Sequence, residues 1–121
     1  MKGAYVLFIR LDVGRNIQIG RLGRFCFTRG YYAYVGSAMN GIESRILRHL
    51  RSNKKTHWHI DYFLRKAKII EVHCFSSDKM EECRIAQKFQ KRFLSVEGFG
   101  CSDCKCSSHL FYSPRLSDLR L

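Results

Sequence analysis

The chain has 121 residues, 45% of them hydrophobic, and one proline, a size and composition that suit one folded domain and exclude a disordered tail. Its 22 Lys and Arg against 10 Asp and Glu leave a formal net charge of +12, which attracts polyanions, nucleic acid first and an acidic membrane surface second. No apolar run approaches the roughly 20 residues of a membrane span, and the opening MKGAYVLFIRLD carries too short an apolar stretch and too early an acid for a signal peptide, so the expected compartment is the cytoplasm.

Residues 3–11, GAYVLFIRL, are apolar at nearly every position and predict a central strand buried on both faces. Gly14 and Asn16 supply a turn, residues 17–19 and 24–28 are short β-prone pieces broken by Gly20 and Gly23, and Tyr31 to Val35 form a third main strand. Connections this short favour antiparallel pairing. After Gly36-Ser37-Ala38, Asn40 is a suitable N-cap with Glu43 as its reciprocal partner, and the apolar stripe Ile42, Ile46, Leu47 and Leu50 predicts a helix over 41–52. The basic loop Ser52 to Lys55 ends it. Residues 57–67 predict a shorter helix burying Trp58, Tyr62 and Phe63, and 68–75 a further strand. Ser76 or Ser77 caps a long helix over 78–95, whose stripe is Ala86, Phe89 and Phe93. From Gly98 onward the chain is loop-like, with a short strand-like HLFY. The predicted fold class is α+β, one domain over 1–121 with a small, mostly antiparallel sheet flanked by helices.

Half of the charge excess lies in residues 37–70, where eight Lys or Arg face only Glu43 and Asp61. Arg45 and His49, four residues apart, lie side by side on a helix, with Arg48, Arg51, Lys54 and Lys55 following as candidate nucleic-acid contacts. A permanently charged guanidinium suits a phosphate, and an imidazole beside it exchanges a proton near neutral pH. A solvated basic flank is the other reading. Tyr32 and Tyr34 share a strand face, with Tyr5 on a neighbouring strand; they either serve the same site or fill the sheet face. In the long helix Glu82 falls in line with Ala86, Phe89 and Phe93, whereas Glu81 aligns with Arg84, Lys88 and Arg92. A carboxylate on the covered side needs a partner, so Glu82 holds either Mg²⁺ or a basic side chain.

The six cysteines, without a secretory signal, read as thiols or a metal site. Cys101, Cys104, Cys106 and His109 are candidate ligands of a structural Zn²⁺, although four ligands within nine residues lack the two separated pairs of ordinary zinc folds, and a loop of reduced thiols is the alternative. Cys26, Cys74 and Cys83 sit in apolar surroundings and read as core residues, Cys83 being the one candidate ligand outside the cluster. His57, His59 and Asp61 diverge on a helix and read as structural, docking the second helix or touching DNA backbone. His73 carries no signal.

Taken together these residues resemble the GIY-YIG nucleases. Gly3-Ala4-Tyr5 stands for the first triplet and Tyr34-Val35-Gly36 for the second, followed by Arg45, His49 and Glu82 with Ile85 and Ala86 as its apolar companions. The run from GSA through RILRHL and HWHIDYFL to GFGCSDCKCSSHLF is most similar to a small prokaryotic branch sometimes fused to DNA-repair glycosylases. An insertion, Asp12 to Arg24, separates the triplets, and the family's late asparagine has no clear match, Asp103 being the nearest residue. The resemblance implies a metal-dependent endonuclease acting on DNA, with RNA also open. Glu82 would hold Mg²⁺ or Mn²⁺, Arg45 would offset charge growing on phosphorus, and Tyr5, Tyr34 or His49 would take the proton of the attacking water. A catalytically silent nucleic-acid-binding module of the same fold is the alternative, and a zinc-stabilised interaction domain a third.

Overall fold

A computed structural model describes residues 3–38, 41–76, 81–101 and 106–120. The apolar run GAYVLFIRL forms β1 (Gly3–Leu11), buried on both faces as its composition demands. The chain then makes a separate two-stranded antiparallel sheet from β2 (Arg15–Ile19) and β3 (Gly23–Phe27), joined by one 3₁₀ turn over 20–22. It returns as β4 (Gly30–Ala38), crosses α1 (Ile42–Leu50) and α2 (His59–Leu64), and adds β5 (Lys68–Ser76). After α3 (Glu81–Gln90) come β6 (Leu94–Ser95), β7 (Leu110–Ser113) and the single turn α4 (Leu116–Leu119). The main sheet is antiparallel throughout, in the order β5-β1-β4-β7-β6.

Strand alternation divides the core into two layers. Tyr5, Leu7, Ile9, Leu11, Tyr32 and Tyr34 face one side, where Ile42 of α1 and Ile60 and Phe63 of α2 cover them. Ala4, Val6, Phe8, Ala33 and Val35 face the other, against Ile85, Ala86 and Phe89 of α3 and Leu119 of α4. The α+β architecture is thus the expected one. Among the described residues no helix is long and apolar enough to cross a membrane.

Several details depart from expectation for identifiable reasons. In α1 the buried line is Ile42 and His49, with Ile46 half-buried, while Leu47 and Leu50 are 65% and 56% exposed. The helix turns a histidine inward because that histidine finds a polar partner there, described below. Gly41 stands at the N-cap of α1 with no side-chain cap; Asn40 lies outside the described residues. Helix α3 ends at Gln90, short of the predicted 95, because Leu94–Ser95 pair with β7. Of its predicted caps, Ser76 ends β5 and Ser77 lies outside the described residues. Four residues of α4 are too few to show a helical period in sequence.

Cys26 and Cys74 are exposed and Cys83 half-buried, not core residues. Cys26 alternates with the inward Phe27 and so faces out of the two-stranded sheet, and Cys74 lies near the end of β5, an edge strand whose residues 73–75 are all exposed.

Candidate functional site

The site gathers at the end of β4. Tyr5 pairs with Gly36 across the β1–β4 ladder, and a Cβ on residue 36 would lie 2.5 Å from the Tyr5 ring carbon Cζ and its hydroxyl. Only glycine admits the ring this closely. The Tyr5 hydroxyl meets His49 Nε2 at 2.7 Å, which is why α1 buries its histidine. Around that imidazole stand the rings of Tyr5, Trp58 and Tyr34, with centroids at 5.6, 5.9 and 6.2 Å.

Burial lowers the His49 pKa from 6.5 to about 4, helped by Lys54, Arg45 and Arg48 and opposed by Asp61, so the imidazole is neutral at neutral pH. Its Nδ1 is buried with no hydrogen-bond partner among the described residues. Burial also pushes both phenols well above their ordinary range: Tyr5 is pulled back in part by the charge and hydrogen bond of Arg45, and Tyr34 is pushed further by Tyr5 and Glu82.

Arg45 lies on the same side. Its Nη1 donates to the Ser37 carbonyl at 3.0 Å, and the Ser37 hydroxyl donates to Glu82 Oε2 at 2.9 Å. The other carboxylate oxygen, Oε1, lies 3.1 Å from His109 Nδ1, which is also 3.1 Å from the Val35 carbonyl. Glu82 belongs to the α3 layer and Arg45 to the α1 layer, so β4 joins the two sides of the sheet through one residue. The Glu82 side chain remains 22% exposed.

Two guanidinium groups stack on Trp58, with the Arg45 and Arg48 carbons 4.3 and 4.2 Å from its ring centroid. Arg48 is further fixed by a fork to both oxygens of Asp61, at 3.0 and 2.9 Å. Asp61 also accepts from the backbone N–H groups of His57 and Trp58, which starts α2. Burial pushes the Asp61 carboxyl upward, but Arg48 and those two N–H groups outweigh it and hold it below the usual carboxylate range.

Of the four basic residues expected to meet nucleic acid, Arg51 and Lys55 are exposed. Arg48 is committed to Asp61, and Lys54 donates to the carbonyls of His49 and Arg51, closing the C-terminus of α1. Arg51, Lys54, Lys55 and Arg65 nevertheless line adjoining shallow depressions beside α1 and α2. His59 docks α2, its Nδ1 accepting from the Gly100 N–H at 2.8 Å.

The cysteine cluster is redistributed. Cys101 donates to the Phe99 carbonyl, Cys104 and Asp103 lie outside the described residues, and Cys106 and His109 converge with Cys83, all three ligand atoms within 4.8 Å of one another. Sequence reasoning missed Ser37, although strand parity puts it on the Val35 side, the one α3 covers. It also missed the contact of His109 with Glu82, for which no local signal exists.

A family model described as Domain of unknown function DUF123 matches residues 4–120. The chain belongs to DUF123. No curated protein and no solved structure matches it.

The donors around Glu82 in this DUF123 chain are a carboxylate and a hydroxyl, hard oxygen ligands of the kind that Mg²⁺ or Mn²⁺ takes together with water and substrate phosphate. The residues present therefore fit such an ion.

Two variants test the geometry. Gly36→Ala drives a methyl into the Tyr5 ring and is expected to cost about 1–3 kcal/mol in chemical denaturation, as overpacking does; an unchanged stability would contradict the close approach. His49 gives a pH signature. Its folded pKa is depressed, so below pH 6.5 the unfolded chain binds the extra proton, and stability falls as pH drops from about 6.5 to about 4 and then levels off. The loss due to this group is about 3 kcal/mol. Denaturation across that window is expected to be steeper for the wild type than for His49→Gln by this amount, and parallel curves would overturn the assignment.

Proposed function

We propose that this DUF123 chain is a metal-dependent endonuclease of GIY-YIG type that hydrolyses DNA phosphodiester bonds. The observation that carries the reading is the gathering of a phenol–imidazole pair, a guanidinium and a partly exposed carboxylate around residues 36 and 37. Phosphodiester hydrolysis needs those groups: charge to offset a phosphorane-like state, a carboxylate for a cation, and an acceptor for the proton of water.

In this reading Arg51, Lys55 and Arg65 draw in the backbone phosphates. Arg45 is pre-oriented by the Ser37 carbonyl and the face of Trp58, so its charge stands ready without reorganisation. Glu82, kept in place by Ser37 and His109, would hold Mg²⁺ or Mn²⁺. When bound, that ion supplies Lewis-acid polarisation of a phosphate oxygen and acidifies water. Tyr5 would orient the attacking water and pass a proton toward His49, which is neutral at pH 7 but weakened as a base by its burial.

The near-complete burial of Tyr5, 1% exposed, favours a second reading, a module that binds nucleic acid without turnover. Supercoiled plasmid separates the two. The endonuclease nicks it in Mg²⁺ or Mn²⁺ and stops in EDTA. Binding that weakens steeply with salt, with no nicking in either metal, would leave only the binding module.

A further inference from the structure

We propose that Cys83, Cys106 and His109 form a zinc site that fastens the start of α3 to the segment entering β7. The three ligand atoms lie within 4.8 Å of one another although they come from residues up to 26 apart in the chain. In a tetrahedral zinc site, with Zn–S near 2.3 Å and Zn–N near 2.0 Å, such atoms stand about 3.5–3.8 Å apart. The remaining closure is within the reach of side-chain rotation. Two thiols and an imidazole are a soft donor set, which selects Zn²⁺ over the Mg²⁺ suited to Glu82.

The histidine is already dressed as a ligand. A carbonyl oxygen accepts only, so the contact with Val35 O at 3.1 Å puts the proton on Nδ1 and makes Nε2 the nitrogen that would take a metal. The Glu82 carboxylate lies 3.1 Å from the same Nδ1. Carbonyl and carboxylate acceptors behind a histidine are the usual outer support of a metal-bound imidazole, fixing its tautomer and raising its basicity. His109 is itself buried and cannot swing away to water, while Cys83 and Cys106 are half-buried and reachable by an ion. A water molecule would take the fourth position.

The site does not depend on the endonuclease reading, and its measurement involves no DNA. Protein purified under reducing conditions without chelators is expected to hold one equivalent of zinc by elemental mass spectrometry. Exchange with Co²⁺ is expected to give tetrahedral ligand-field bands and a thiolate-to-cobalt charge-transfer band, whose intensity per cobalt halves in Cys83→Ser. Glu82→Ala leaves the ligands in place and is expected to lower zinc affinity roughly 10–100-fold in a chelator competition, the usual cost of losing an outer partner. This second variant keeps the test decisive if Cys83→Ser does not fold. Zinc-free protein with free thiols, a Cys83–Cys106 disulfide in the intact mass, or a cobalt spectrum without thiolate character would overturn the proposal.

Discussion

Arg45→Ala and Glu82→Gln are each expected to slow metal-dependent plasmid nicking roughly 10²–10³-fold, the loss that follows removal of one pre-oriented charge-stabilising group. Arg45 touches the Ser37 carbonyl, the Trp58 face and Tyr5 and makes no buried ion pair among the described residues, so its removal is expected to leave the core layers intact. Glu82→Gln keeps the volume and retains an oxygen that accepts from the Ser37 hydroxyl, but turns its amide N–H toward His109 Nδ1 and loses the negative charge that a divalent cation requires. The fold is therefore expected to survive both changes, which thermal unfolding checks. Arg45→Lys supplies charge without a planar stack or a second N–H, and falls between wild type and alanine. Nicking that persists unchanged in either Arg45→Ala or Glu82→Gln would remove that residue from the chemistry.

Arg48→Ala is expected to destabilise the fold by about 3–5 kcal/mol, the cost of leaving a buried charge without its partner. The Asp61 side chain is 0% exposed, whereas Arg48 is 22% exposed. The same substitution removes one of the two guanidinium groups stacked on Trp58. The pH dependence identifies the cause. In the wild type Asp61 titrates below its ordinary range, so its stabilisation is present above pH 3.8 and is lost only as pH falls through the lower folded value. In Arg48→Ala burial acts with less to oppose it and raises that pKa, so protonation relieves the variant and the gap to wild type narrows as pH falls through the carboxylate range. A gap constant between pH 7 and pH 4 in urea denaturation would show that lost packing, not the stranded charge, is responsible.

The parts of this fold that are legible in sequence are those that a one-dimensional pattern encodes. The apolar run of β1, the tyrosine alternation of β4 and the phase of Glu82 on α3 follow from periods of two and 3.6 residues. What stays hidden depends on pairs distant in the chain. A hydrophobicity pattern puts Leu47 and Leu50 inside α1; the structure buries His49 instead, because Tyr5, 44 residues earlier, supplies a hydrogen bond. Asp61 reads as one member of a local H-x-H-x-D motif, but its meaning comes from Arg48 on the preceding helix. Cys83 joins Cys106 and His109 only once β7 is laid beside β4, a register that no spacing rule predicts.

Ser37 acts as a gauge. Its backbone oxygen sets one jaw, Arg45, and its side-chain oxygen the other, Glu82. The span between the two charges is thus fixed by the dimensions of one residue in a central strand and not by the loops that lead to either helix. Insertions or deletions in those loops are expected to leave the span unchanged.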